Sequence, residues 1–98
     1  MNAPPVAGAS GRDHIDAWVD EAYRDLRRMA RARLAAGGRN TVLDTTALVH
    51  ESYLRLARAH GLAFEDRLRF MTYAGRVMRS VIVDLVRERQ AERITRPA

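Results

Sequence analysis

Between residues 67 and 93, apolar side chains recur with the three-then-four spacing of one helix face: Phe70, Tyr73, Ala74, Val77, Met78, Val81, Ile82, Leu85 and Val86. No proline interrupts the run, and its one glycine, Gly75, weakens it by about 1 kcal/mol relative to alanine. The spacing predicts a rod of roughly 40 Å. A second row runs beside the stripe: Arg69, Thr72, Arg76, Arg79, Ser80, Val83, Arg87 and Gln90. One face therefore needs other helices to pack on, while the other carries guanidinium groups. Taken alone, such a charged face reads first as a solvated one.

Two more helices precede it. The first is expected from Asp13 to Ala36, with Ile15, Trp18, Val19, Ala22, Tyr23, Leu26, Met29, Ala30 and Leu34 as its apolar stripe. Acids crowd its start (Asp13, Asp16, Asp20, Glu21) and arginines its end, which complements the helix dipole, and Gly37-Gly38 is a stop signal. A loop, Arg39 to Leu43, leads to Asp44-Thr45-Thr46, all three good N-caps. The second helix carries Leu48, Val49, Tyr53, Leu54, Leu56 and Ala57 and stops at His60-Gly61. The loop from Gly61 to Asp66 holds Phe64, and Asp66 is placed to cap the long helix. With no strand pattern, the expectation is an all-α bundle of three helices with a long third one. The domain is expected over 13–93, between an Ala/Pro/Gly/Ser-rich disordered leader over 1–12 and a linker-like tail over 94–98.

Size and composition narrow the function. A chain of 98 residues with 47% hydrophobic content has room for one modest core. Cysteine is absent, which excludes disulfides and Cys-based metal sites. No basic-then-apolar signal segment and no apolar run of membrane-spanning length occur, so a cytoplasmic protein without membrane contact is expected. His14, His50 and His60 are dispersed, and none of the serines lies in a strained nucleophile turn; no metal, cofactor or enzymatic activity is expected. Net charge is +5, and all 17 basic residues are arginine, whose planar fork grips phosphate and stacks on bases. The balance suggests nucleic acid or an acidic protein surface as partner.

Two segments then carry more information than composition does. The stretch Asp44-Thr45-Thr46-Ala47-Leu48-Val49-His50-Glu51-Ser52-Tyr53-Leu54-Arg55-Leu56 resembles region 2.2 of bacterial RNA polymerase sigma factors of the extracytoplasmic-function (ECF) class, in the sigma-70 family. Phe70-Met71-Thr72-Tyr73-Ala74-Gly75-Arg76-Val77-Met78-Arg79-Ser80, followed by Val83-Asp84-Leu85-Val86-Arg87, is similar to the fused regions 2.3 and 2.4. Tyr23-Arg24-Asp25-Leu26-Arg27-Arg28-Met29-Ala30 is similar to region 2.1. The resemblance runs from Ile15 to Arg93 in the family's order. It implies a non-enzymatic sigma region 2, which docks on a coiled coil of the largest subunit of core RNA polymerase and captures and melts the promoter −10 element. By that resemblance, Arg67, Arg69, Thr72, Arg76, Arg79, Ser80 and Arg87 are expected to contact promoter DNA. Gly61, Phe64, Glu65 and Asp66 are expected to form a base-capture loop, in which Phe64 either stacks on a base or staples the loop to the core. Asp44, Leu48, Val49, Glu51, Ser52 and Arg55 are expected to face the polymerase.

Two departures from the family pattern stand out. A second helical domain, region 4, follows region 2 by a linker in the family and has no counterpart here, which suggests an excised domain or a short natural protein. Region 2.2 usually opens with an acidic pattern like Asp-Ala-Glu-Asp, whereas Asp44 is followed by Thr45, Thr46 and Ala47. Thr46 stands where that pattern places Glu, so phosphorylation there, with Thr45 as nearest competitor, is expected to restore the missing charge. A Ser/Thr kinase is therefore a further candidate partner, and an anti-sigma factor is a separate one. Two other readings remain open: a helical DNA-binding module of repressor type, and a protein-interaction bundle whose arginine stripe is merely solvated.

Overall fold

The computed structural model describes residues 11–36, 44–59 and 61–95. Four helices hold nearly all of these: α1 (Gly11–Glu21), α2 (Tyr23–Ala36), α3 (Thr45–Arg58) and α4 (Arg67–Thr95). Among the described residues there is no strand. α1 and α2 divide what the periodicity predicts as one helix, and they part only at Ala22. The hydrogen-bond ladder passes through that residue: Ala22 N–H donates to the Trp18 carbonyl at 2.9 Å, and Leu26 N–H to the Ala22 carbonyl at 2.8 Å. Both are bonds to the fourth residue back, so a single apolar stripe is kept across the break. Residues 1–10 of the expected leader, the Gly37-Gly38 stop, the loop over 39–43, His60 and residues 96–98 of the expected tail lie outside the described residues, whereas helix takes in the rest of both, α1 starting at Gly11 rather than Asp13 and α4 running on to Thr95.

The core forms where the stripes meet. Trp18 of α1 and Phe70 of α4 are fully buried and stack with ring centroids 5.6 Å apart. Around this pair lie Ile15, Leu48, Leu56, Met78 and Val81, also buried. Each large apolar side chain removed from water stabilises the bundle by roughly 1.5–3 kcal/mol. Polar ties between helices are smaller terms. Tyr53 Oη donates to Asp16 Oδ1 at 2.8 Å, and Arg55 Nη1 meets Asp84 Oδ2 at 2.8 Å. A solvent-accessible ion pair of the second kind contributes only about 0.2–1 kcal/mol.

Aspartates start both later helices. Asp44 Oδ1 accepts from Ala47 N–H at 2.7 Å, and Asp66 Oδ1 accepts from Arg69 N–H at 2.9 Å. Of the three cap candidates before α3, Asp44 takes the role, which places Thr45 and Thr46 in the first turn. The 29 residues of α4 outrun the core: Val81 is its last buried side chain, and everything from Val86 to Ile94 is exposed. Gly61, just beyond α3, has φ +76°, a conformation that favours glycine.

Candidate nucleic-acid and polymerase interfaces

The second row of α4 is exposed as its period predicts. Arg69, Thr72, Arg76, Arg79, Ser80 and Arg87 all reach solvent. Their electrostatic situations differ. Arg69 is countered locally by Glu65 at 2.6 Å and Asp66 at 3.7 Å. The Thr72 hydroxyl donates back to the Leu68 carbonyl at 2.8 Å. Ser80 lies beside Arg55, whose Nη1 is 3.5 Å from its hydroxyl. Arg76, Arg79 and Arg87 make no ion pair with any described residue. These three carry the open positive charge of the face.

Arg67, also expected to contact promoter DNA, does not share that face. Two residues before Arg69, it sits about 200° around the helix. It points back to α1 and α2, where its guanidinium hydrogen-bonds Asp25 and lies 3.6 Å from Glu21. The hydrogen bond from Arg67 holds the Asp25 carboxyl below its usual 3.8, with the charges of Arg67 and Arg28 acting the same way. Arg67 is thus an internal tie between α4 and the first two helices.

The loop before α4 is anchored from inside. Phe64 is half-buried, edge-on to Phe70 at 5.5 Å, tilted against Tyr73 at 5.5 Å, and stacked on His14 at 6.3 Å. Its backbone N–H donates to His14 Nε2 at 3.0 Å. Three aromatic neighbours make Phe64 a staple between loop and core. Asp66 spends one oxygen on the α4 cap, and Glu65 is engaged by Arg69. Gly61 and Glu65 are exposed. His14 is the residue that pattern reasoning missed here; its place one turn before Trp18, on the same face, was the available signal.

α3 requires the largest revision. Leu48, Val49 and Ser52, expected to face the polymerase, are 0%, 6% and 2% exposed. They point into the bundle because α3 is covered by α1 and α2 on one side and α4 on the other, which leaves a narrow outer face. Arg55 is half-buried and committed to Asp84. The exposed positions are Asp44, Thr46, His50, Glu51 and Arg58. Thr46 borders a groove of about 380 Å³ between α1 and α3, lined also by Asp16, Asp20, Tyr23, His50 and Tyr53. Its hydroxyl accepts from Arg27 Nη1 of α2 at 2.8 Å, while that guanidinium lies 5.9 Å from the Tyr23 ring centre.

The arrangement is a helical bundle with open cationic charge on one long helix and an acid-bearing groove elsewhere. Among the described residues no group of acids and histidines is placed to hold a metal ion, and no helix is long and apolar enough to cross a membrane. Comparison with curated proteins and with solved structures gives no match. The family model described as ECF sigma factor matches residues 10–94, which takes in all four helices but for the last residue of α4. That span and the all-helical bundle agree, and the chain belongs to the ECF sigma factor family.

Proposed function

We propose that residues 13–93 act as a sigma region 2 that joins core RNA polymerase and captures the opened −10 element of a promoter. Membership of the family makes the chain a sigma factor of transcription initiation, with core RNA polymerase and promoter DNA as the partners the family implies. The place of action is then where the polymerase works, the cytoplasm. The observation that carries the DNA reading is the trio Arg76, Arg79 and Arg87 on the exposed face of α4, none of them in an ion pair with a described residue. Phosphate contacts of this kind fix position, and base contacts specify. Glu65 and the exposed backbone of the loop are the base-reading candidates, beside the phosphate-binding helix. Phe64 supports that loop from behind.

Polymerase docking is assigned to what α3 exposes, chiefly Asp44, Thr46 and Glu51, in place of the buried Leu48, Val49 and Ser52. Two carboxylates are a thin acidic surface for a basic coiled coil. Phosphorylation of Thr46 would add about −1.5 to −2 charges at pH 7 at the first turn of α3, where the helix dipole favours them. The Arg27–Thr46 hydrogen bond supports this reading, because a guanidinium already aimed at the hydroxyl can pair with a phosphate there. Thr45 is half-buried and is the weaker candidate.

The test is affinity for core RNA polymerase, measured for the unmodified chain, Thr46→Ala, and protein phosphorylated by a threonine kinase. The phosphorylated chain is expected to bind at least tenfold more tightly, and Thr46→Ala to show no gain after kinase treatment. Equal affinity with and without phosphate would remove the switch. Failure of every form to bind core enzyme would remove the docking assignment with it.

A further inference from the structure

α2 and α4 border a groove of about 440 Å³. Met29, Met71 and Leu68, the last 76% exposed, give it an apolar lining, and Arg33, Arg76 and Arg79 give it three guanidinium groups. Arg33 comes from α2 and lies outside the arginine row of α4. It is half-buried, its Nε is shut away from water without a hydrogen-bond partner, and it makes no ion pair with a described residue.

The single glycine of α4 explains how that cation fits. A Cβ at Gly75 would stand 2.7 Å from Arg33 Nη2 and 3.4 Å from Met29 Sδ. A helix that only had to pack at this position would favour alanine, since glycine weakens a helix interior. Here the missing side chain admits a guanidinium against the backbone of α4. Three cations then converge on one groove, with no carboxylate among the described residues that line it. Low local dielectric at the half-buried member strengthens its pull on an anion.

We propose that this groove seats a phosphate of the opened promoter strand, with Arg33 as a phosphate-binding residue from α2 and Gly75 as the position that makes room for it. The inference rests on the DNA-binding reading and extends it to a second helix. The apolar lining favours a nucleic-acid strand over an acidic peptide: thioether and leucine surface suits the flat face of a base or a sugar, beside the phosphate that the forks hold.

The test uses the chain bound to core RNA polymerase and a labelled single-stranded −10 oligonucleotide, titrated across salt concentration. Arg33→Gln is expected to weaken binding about tenfold, as for loss of a charge-assisted hydrogen bond, and to lower the salt slope by about 0.7. Gly75→Ala, which leaves Arg33 in the chain but displaces its guanidinium, is expected to weaken binding in the same direction without lowering the melting temperature. The double variant Arg76→Ala/Arg79→Ala separates the two claims. If it weakens binding while Arg33→Gln and Gly75→Ala leave affinity and slope unchanged, the seat is overturned and the DNA reading stands. If the unsubstituted chain does not bind, or none of the variants differs from it, the DNA reading falls as well. An Arg33-dependent affinity for an acidic peptide or inorganic phosphate that equals that for the oligonucleotide also overturns the seat.

Discussion

Single side chains decide what each surface of this bundle can do, and His14 is the clearest case. Its imidazole accepts the Phe64 N–H through Nε2 and stacks on the Phe64 ring, so one residue holds the loop to α1 through two contacts. His14→Ala removes both. The expected result is unchanged helix content with faster amide exchange at Phe64 and weakened discrimination among −10 sequences by the polymerase-bound chain. Exchange at Phe64 as slow as in the unsubstituted chain would show that the other aromatic contacts suffice. Val49 and Ser52 make the opposite point. Each is expected to unfold the bundle if replaced by Asp, because an unpaired charge there has neither water nor a partner. A thermal melt of Val49→Asp with an undisturbed midpoint would contradict that burial. Ser52→Ala, by contrast, removes a buried hydroxyl without a partner and is expected to be neutral or stabilising.

At the scale of elements, the apolar periods made the helices legible, and residue-level chemistry made their starts legible. Asp44 and Asp66 lie where cap rules place them, and α4 begins one residue after Asp66. Asp44→Ala is expected to cost about 1 kcal/mol, read as a lower denaturant midpoint, while Thr45→Ala changes it little. What the pattern could not show was which side of each helix is covered and by whom. α3 carries more apolar residues than one narrow stripe needs, and only packing from both sides explains why Leu48, Val49 and Ser52 are all inside. The arginines were likewise visible as a set, but their partners were not. Arg67 finds Asp25 across 42 residues of sequence, and such a pairing leaves no local trace. The one-residue irregularity at Ala22 is also silent in the sequence, since no proline or glycine marks it.

Over the whole molecule, charge is sorted by position. Acids of the first two helices hold Arg67 inward, whereas Arg76, Arg79 and Arg87 are left to solvent on α4. The inward pair has a consequence for acid stability. Because Asp25 has a lowered carboxyl pKa in the folded chain, its stabilising effect is complete above the usual 3.8 and fades as pH falls through the lowered value. Asp25→Asn should therefore narrow the stability difference between neutral and strongly acidic solution, measured by denaturant midpoints at several pH values. An identical pH profile in both proteins would mean that the Arg67 tie contributes nothing to folding. The outward charge carries the central claim, that α4 grips an opened promoter strand. The most direct measurement is binding of the chain–core polymerase complex to a fork-junction DNA with a single-stranded −10 segment, compared with the fully paired duplex, for the unsubstituted chain and for Arg76→Ala/Arg79→Ala. The account predicts preference for the fork by the unsubstituted chain, and in the double variant a loss of that preference with a salt slope reduced by about 1.4. Equal affinity for fork and duplex, or a double variant with the same affinity and slope, would contradict it.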